Sequence, residues 1–555
     1  MTTASEARAL TVIDVSGIQG YIFGSNRLRD NIGASYLVGR VTTDWIEAAL
    51  PQPHNFANAA IGDATLDSDP ALQAEVVYSG GGNVVLQVRG SNKDAALAAA
   101  RQIASQLSRT LLACAPGLEI VVAHRVFDPA TEAIGGSNGV YAQLFQELDT
   151  AKRRAPASNP LGGLGVTREC TSTGLPAVER FDYAPRSRSG KSDVQPLSAT
   201  ARARVDFTTI QASERALRET LAISDEWRIP RDLDELGRSR GEESYIAVVH
   251  ADGNSLGRRF SGVVNSFSTA ADNRACLDAL RALSHAVEQA GGEAFRATVR
   301  AMLATLKEAD PTHDDPLGRL IHELRPGRGE TPLPLRPLIF GGDDVTFVCD
   351  GRLGLGMAVR YLKEFERAAA GLPGGPAHAC AGVAVVKSHY PFARAYRLST
   401  ELCASAKAQA REHGDQPALD WQFATTGISG SLDVLRKRGY RAQPGDLTMR
   451  PVTLADIPNG FGWHRWENLS GLVKEFSNER SWPTSKLAAL REELRKGEDA
   501  IKRWRTRFRQ DQELPKLATV ADAGAARNLV ETGWAGGRCG YFDAIEALDF
   551  FIELQ

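Results

Sequence analysis

The chain repeats itself, and the repeat limits the possible folds more than any other feature of its 555 residues. Residues 10–16, LTVIDVS, are an apolar run followed by a glycine turn and helical material, GIQGYIFGSNRLRDNIGASYLVGRVTTDWIEAAL. Residues 75–88, EVVYSGGGNVVLQV, are two β-rich runs around a glycine-rich turn, a hairpin signal. Apolar residues at helical spacing predict a helix from Lys93 to Leu112, and LEIVVAHRVF predicts the next strand. The second half repeats this order. YIAVVHA (245–251) reads as a strand, DGNSLGRRF as a glycine turn, and helical material runs on to about Ala309. RPLIFGGDDVTFVCD is a hairpin, GLGMAVRYLKEFERAAA a helix, HACAGVAVVKS a strand, and Phe392 to Arg411 a helix. Both halves read β-α-(α)-β-β-α-β, the ferredoxin-like order used by palm domains.

The expected fold class is α+β, with two ferredoxin-like palms. Residues 1–132 form a first, degenerate palm, 133–241 an inter-palm helical segment, 242–450 a second palm, and 451–555 a helical C-terminal domain. The length suits three to four domains of ~150 residues. A formal net charge of −2 excludes polyanion binding by bulk charge, so any nucleic-acid surface is a local patch. Seven cysteines, none spaced C-x-x-C, support neither a disulfide framework nor a zinc ribbon. Reduced thiols of a cytoplasmic protein are the expectation. The N-terminus lacks the basic and long apolar parts of a signal peptide, and no apolar run is long enough to span a membrane.

The chemistry concentrates at Gly341, Gly342, Asp343 and Asp344. The glycines allow a tight turn and a close approach of phosphates to the backbone. Adjacent carboxylates at a turn repel one another unless a cation lies between them, and Mg²⁺ typically takes one or two carboxylates plus substrate phosphates. Asp252 ends the apolar strand VVHAD, and in a ferredoxin-like sheet that strand lies beside the hairpin, which brings Asp252 next to Asp343. The backbone N–H groups of Gly253, Asn254, Ser255 and Leu256, opening a helix, are then expected to face a triphosphate. Asp252, Asp343 and Asp344 are the candidate catalytic and metal-holding residues for two Mg²⁺ or Mn²⁺ ions.

The first half is an internal comparison. Pairing YSGGGNVV with IFGGDDVT puts Gly82 and Asn83 where Asp343 and Asp344 stand. Pairing VIDVSG with VVHADG puts Ser16 where Asp252 stands and leaves Asp14 two residues early. On that pairing all three carboxylates are lost together, and the first palm is a silent partner kept for nucleotide binding or for an interface.

The run DVSGIQGYIFGSNRLRDNIGASYLV, the paired palms and the GGDD hairpin resemble the large polymerase/cyclase subunit of type III CRISPR effector complexes. The likeness covers roughly residues 10–450, and SGIQGYIF with two palms in one chain is its more specific part. It implies cyclic oligoadenylate synthesis from ATP when the complex has bound target RNA, in antiviral defence. The 3′-hydroxyl of one nucleotide attacks the α-phosphate of the next at the GGDD palm and releases pyrophosphate. The resemblance also implies that Lys407 holds the triphosphate; a solvated helical lysine is the other reading. Lys387 is a weaker choice. Two departures matter. The palm starts by residue 10 with no His-Asp nuclease module before it, so DNA cleavage is not expected. In ECTSTGLPA only Cys170 stands where the family often carries a four-cysteine zinc site, with Thr173 at a second cysteine's place, so no zinc is expected.

Lys502, Arg503, Trp504, Arg505, Arg507, Phe508 and Arg509 mix cations with aromatics. That suits RNA or phosphate contact, and equally a solvated helix burying Trp504 and Phe508. Trp463, His464 and Trp466 read as core or interface anchors. The leading function is a nucleotidyltransferase making a cyclic oligonucleotide, with ATP or another NTP as substrate and RNA and CRISPR-type backbone subunits as expected partners. The alternatives are a nucleotide-binding scaffold subunit of an RNA-guided complex and a cyclic dinucleotide synthase.

Overall fold

The computed structural model describes residues 6–154, 162–183, 192–236, 244–324, 330–424, 430–455, 462–507 and 513–555. They fall into two compact units. The first takes the chain up to Ile223 with Ser255–Gly292 and Gly371–Pro376; the second takes Ser224–Asn254, Glu293–Ala370 and Ala377–Gln555. The expected inter-palm segment 133–241 is therefore divided, joining the first unit up to Ile223 and the second from Ser224.

The first unit is built on β1 (Ala7–Ser16), β2 (Ala74–Gly80), β3 (Asn83–Gly90) and β4 (Glu119–Phe127), in the antiparallel order β2-β3-β1-β4. This is the ferredoxin-like order the repeat predicts. Central β1 is buried without a break from Ala7 to Ile13, so it shows no polar alternation. Helices α1 (Ile18–Phe23) and α2 (Leu28–Arg40) follow it. Helix α3 (Lys93–Cys114) starts where the Asn92 side chain accepts the Ala95 N–H at 2.8 Å. Its stripe Ala96, Ala100, Ile103, Leu107, Leu111 is buried. Helix α4 (Val140–Arg154) brings Tyr141, Leu144 and Leu148 into one cluster with Leu10, Val12 and Val85. Helix α5 (Leu256–Asn265) adds Val264 to that cluster.

In the second unit β5 (Tyr245–Gly253), β6 (Leu335–Gly341), β7 (Asp344–Asp350) and β8 (Ala379–Lys387) repeat the arrangement as β6-β7-β5-β8. Two strands extend it: β9 (Ala418–Ala424), parallel to β8, and β10 (Val452–Thr453). Helix α6 (Gly354–Ala368) follows the hairpin and α7 (Phe392–Glu412) follows β8. Gly382 sets the depth of α7. A Cβ at Gly382 would lie 2.1 Å from Ser399 O and 2.3 Å from Cys403 N, so only glycine lets the helix rest on the strand. Gly382→Ala is expected to push α7 outward, with about 1–3 kcal/mol lost to overpacking. Urea unfolding of both proteins measures this, and an unchanged midpoint would show that the helix shifts freely.

The C-terminal residues belong to the second unit and are mainly helical, with one element the sequence does not announce. Strands of two residues each, 441–442, 445–446, 534–535 and 538–539, make a small sheet. They are too short to show a period. The run KLAALREELRKGEDAIKRWRTRFRQ, whose charge suggests one or two exposed helices, forms two over its described part, Thr484–Lys496 and Glu498–Arg507, broken at Gly497 with φ +92°. It is not exposed along its length: Leu487, Leu490, Leu494, Ala500, Ile501 and Trp504 are all buried. Trp463 and Trp466 are buried as expected of anchors, and the Trp463 and His464 rings lie 4.1 Å apart. At the centre of this region Arg450 and Asp543, both fully buried, pair at 2.8 Å. Asp543 also accepts the N–H groups of Met449 and Arg450, and the guanidinium lies 4.7 Å from the Tyr440 ring centroid.

Candidate active site

The register of the central strands brings the three aspartates together. Antiparallel pairing of β5 with β7 ends at Ala251 opposite Val345, which puts Asp252 opposite Asp344. The Gly253 N–H closes the ladder on Asp343 O at 3.2 Å. The hairpin turns between Gly341 and Asp344, with Gly342 left-handed at φ +63°. No atom lies within 4 Å of a Cβ built on Gly341 or Gly342, so the tip has room for a ligand's approach.

The hairpin carboxyls are half-buried and stand close to Asp252, and this sets their electrostatics. Burial, then the charge of Asp252, raises Asp343 to about 6. Burial, then the charges of Asp252 and Asp343, raises Asp344 to about 7. The Asp344 side chain keeps 38% of its exposure, yet its Oδ1 is enclosed with no hydrogen-bond partner. Asp252 is paired: Lys407 Nζ, from α7, donates to its Oδ2 at 2.6 Å and to Gly253 O at 2.8 Å. With 14% of its side chain exposed, Lys407 is not a solvated helical lysine. Lys387 lies opposite Tyr245, at the far end of β5 from Asp252, and has no place in the site.

Among the described residues no three His, Cys, Asp or Glu side chains form a finished metal-ligand set. The donors nevertheless fit a divalent cation. They are hard oxygens at adjoining positions of two paired strands, one of them enclosed and without a hydrogen bond, and Mg²⁺ typically asks the protein for only one or two carboxylates. The Lys407 ammonium also lies against Asp252 and offsets part of the negative charge of the group.

The run after Asp252 is not turned outward as expected. Gly253 N–H is used by Asp343 O, and Asn254 N–H donates to His378 O at 2.8 Å. The Asn254 amide donates to the carbonyls of Asp415 and Gln416 at 3.3 Å, holding the turn after α7. A triphosphate would meet neither N–H. Ser255, left-handed at φ +59°, and Leu256 open α5 beyond them.

No family model matches this chain, and no curated protein matches it. Solved structures align with nearly all of it. A Csm1–Csm4 cassette in complex with AMPPNP aligns over 99% of this chain and 70% of its own, at 13% identity and a TM-score of 0.48. The same cassette with pppApA covers 98% and 70%, at 14% identity and a TM-score of 0.48. Csm1 of T. onnurineus covers 99% and 70%, at 15% identity and a TM-score of 0.45.

The first palm corrects one expectation and confirms another. Gly80 pairs with Asn83 as Gly341 pairs with Asp344, so Gly82 and Asn83 do stand at the hairpin carboxylate positions. Asp14, however, lies opposite Asn83 as Asp252 lies opposite Asp344. The helix start agrees: left-handed Gly17 and left-handed Ser255 each come three residues after the aspartate. Asp14, not Ser16, is thus the counterpart of Asp252. It also keeps a lysine, because Lys152 Nζ, on the helix after β4, lies 2.9 Å from Asp14 Oδ2. The first palm has lost the two hairpin carboxylates and kept the Asp–Lys pair. Its turn differs as well, with both Gly81 and Gly82 left-handed (φ +59° and +81°).

The remaining candidates resolve simply. Cys170 is buried with Tyr183, Leu197, Ala201 and Val205, and Thr173 Oγ1 lies 2.9 Å from Ser198 Oγ. Trp504 is buried, so its ring is not offered to a base, and Arg505 donates to Glu531 O. Phe508 and Arg509 lie outside the described residues. No described helix is long and apolar enough to cross a membrane.

Proposed function

We propose that the second palm is a metal-dependent nucleotidyl-transfer site that joins NTPs into a cyclic oligonucleotide, with adenylate the product class implied by the sequence resemblance. One observation carries this reading. Three carboxylates stand at a strand end and the adjoining hairpin tip, where burial and the closeness of their charges raise the two hairpin carboxyls to about 6 and about 7, and one enclosed oxygen makes no hydrogen bond. Such a cluster is unfavourable without a cation and useful with one. Asp252, Asp343 and Asp344 would hold Mg²⁺ or Mn²⁺, which when bound supplies charge neutralisation at the phosphates and a more acidic attacking hydroxyl. The residues of the chain do the rest. Lys407, already beside Asp252, is placed to exchange that carboxylate for a phosphate. Gly341 and Gly342 leave the backbone open to the phosphates. Positioning and charge neutralisation account for most of the catalysis in reactions of this kind.

The test is incubation of the full chain with each NTP and Mg²⁺ or Mn²⁺, with and without RNA, and mass spectrometry of the products. A cyclic oligoadenylate formed from ATP is the expected result. Nucleotide binding without any product under all conditions would instead favour the scaffold reading.

A further inference from the structure

Below Asp252 and Asp344 on the same face of the sheet lies a second cross-strand pair, His250 opposite Thr346. Both are buried, His250 with 7% of its surface exposed and Thr346 with none. His250 Nδ1 lies 3.0 Å from Thr346 Oγ1 and 3.4 Å from Asp344 Oδ1, the enclosed oxygen. The Tyr396 ring meets the imidazole edge-on at 5.9 Å.

The first palm shows what these positions hold when no hairpin carboxylate stands above them. The register that equates Asp14 with Asp252 and Asn83 with Asp344 equates Val12 with His250 and Val85 with Thr346. Val12 and Val85 are themselves a cross-strand pair, both fully buried. A buried imidazole and hydroxyl are costlier than two valines unless their hydrogen bonds do something. The polar pair occurs in the palm that has hairpin carboxylates and is apolar in the palm that lost them.

We propose that His250 and Thr346 are positioning residues for Asp344: a proton on Nδ1 bonds Thr346 Oγ1 at 3.0 Å, which holds the imidazole edge 3.4 Å from Asp344 Oδ1, close enough for that proton to turn to the carboxylate and fix it for a divalent cation. The inference rests on the function proposed for the site. Hydrogen bonds of this kind orient metal-binding carboxylates, and removing them typically lowers metal affinity about 10- to 100-fold.

The test uses the nucleotide-free full chain and Mn²⁺, with the free ion counted by electron paramagnetic resonance. The double substitution His250→Val/Thr346→Val copies the first palm's own pair and is expected to fold, with a melting temperature equal to or above that of the unaltered protein. Its Mn²⁺ affinity is expected to fall about 10- to 100-fold. His250→Asn, whose amide nitrogen takes the place of Nδ1, should stay much closer to the unaltered affinity. Ring ¹⁵N shifts of His250 should show the Nδ1–H tautomer. Unaltered affinity in the double valine variant, or an Nε2–H tautomer, overturns the proposal. Equal Mn²⁺ binding by the unaltered protein and by Asp343→Ala/Asp344→Ala would overturn the function reading itself, and this proposal with it.

Discussion

Alanine at both Asp343 and Asp344 is expected to abolish product formation while leaving the metal-free protein folded and more heat-resistant at pH 7. The loss of turnover should exceed the roughly 10²–10³-fold typical of removing one preorganised electrostatic group, because two metal-holding carboxylates go together. The gain in stability has a definite sign. Both carboxyls are raised in the folded protein, to about 6 and about 7, above the ordinary aspartate value of 3.8. Between the unfolded and folded values the native state binds more protons than the unfolded chain, so native stability falls as pH rises. The penalty is absent near pH 3 and complete above about pH 7. Thermal melts in EDTA from pH 4 to 8 should therefore show the two proteins converging at the acid end and diverging toward neutrality, with the variant higher. Turnover surviving in the double variant would move the chemistry away from this hairpin. A variant that melts lower at pH 7 would mean that the carboxylates support the fold.

Asp543→Ala is expected to cost about 3–5 kcal/mol, the loss typical when one partner of a buried ion pair is removed. Arg450 cannot respond by giving up its proton, and it has no exposure to solvent. The substitution also leaves the N–H groups of Met449 and Arg450 without the carboxylate oxygen that accepts them. The guanidinium then keeps the Tyr440 and Trp421 rings, a long contact of 3.3 Å to Gln422 Oε1 and the more distant charges of Glu546 and Asp420. Asp543→Asn keeps an acceptor and should lose less. The double variant Arg450→Met/Asp543→Leu should recover much of the loss, since apolar replacements of buried pairs are often tolerated. Denaturant unfolding of the four proteins, with Arg450→Met and Asp543→Leu alone added to complete the cycle, gives the coupling. A cost below about 1 kcal/mol for Asp543→Ala would mean that water reaches the arginine.

The palm order, the hairpin and the place of Asp252 beside it were legible because each rests on a period or a turn that only a few folds satisfy. The counterpart of Asp252 in the first palm was not. Matching SG of the first half to DG of the second puts Ser16 at that position, two residues from Asp14. A shift of two along a strand keeps every side chain on its own face, so alternation cannot expose the error. Nor does β1 alternate, since Ala7 to Ile13 are all buried. Only the hydrogen-bond ladder and the left-handed residue before the helix distinguish the two registers. His250 and Thr346 were missed for a related reason: a histidine and a threonine inside apolar strands carry no motif, and their pairing appears only across strands. Trp504 sits at helical spacing with buried Ala500 and Ile501, but the neighbouring arginines mask that stripe in the sequence.

The turn of the first palm works as a ratchet. An aspartate restored at position 82 would have to adopt the left-handed backbone that Gly82 occupies at φ +81°, where an L-residue loses about 1–2 kcal/mol. Its Cβ would also lie 2.5 Å from Ile18 Cδ1, so that side chain would have to move. A carboxylate regained at 83 alone would join Asp14 in a site where Lys152 already supplies the positive charge. Each single step back toward a metal-holding hairpin is thus unrewarded or unfavourable until the turn itself changes hand. The two halves of a duplicated chain can in this way become fixed in different roles by backbone conformation, with one lysine–aspartate pair left in each as a record of their common origin.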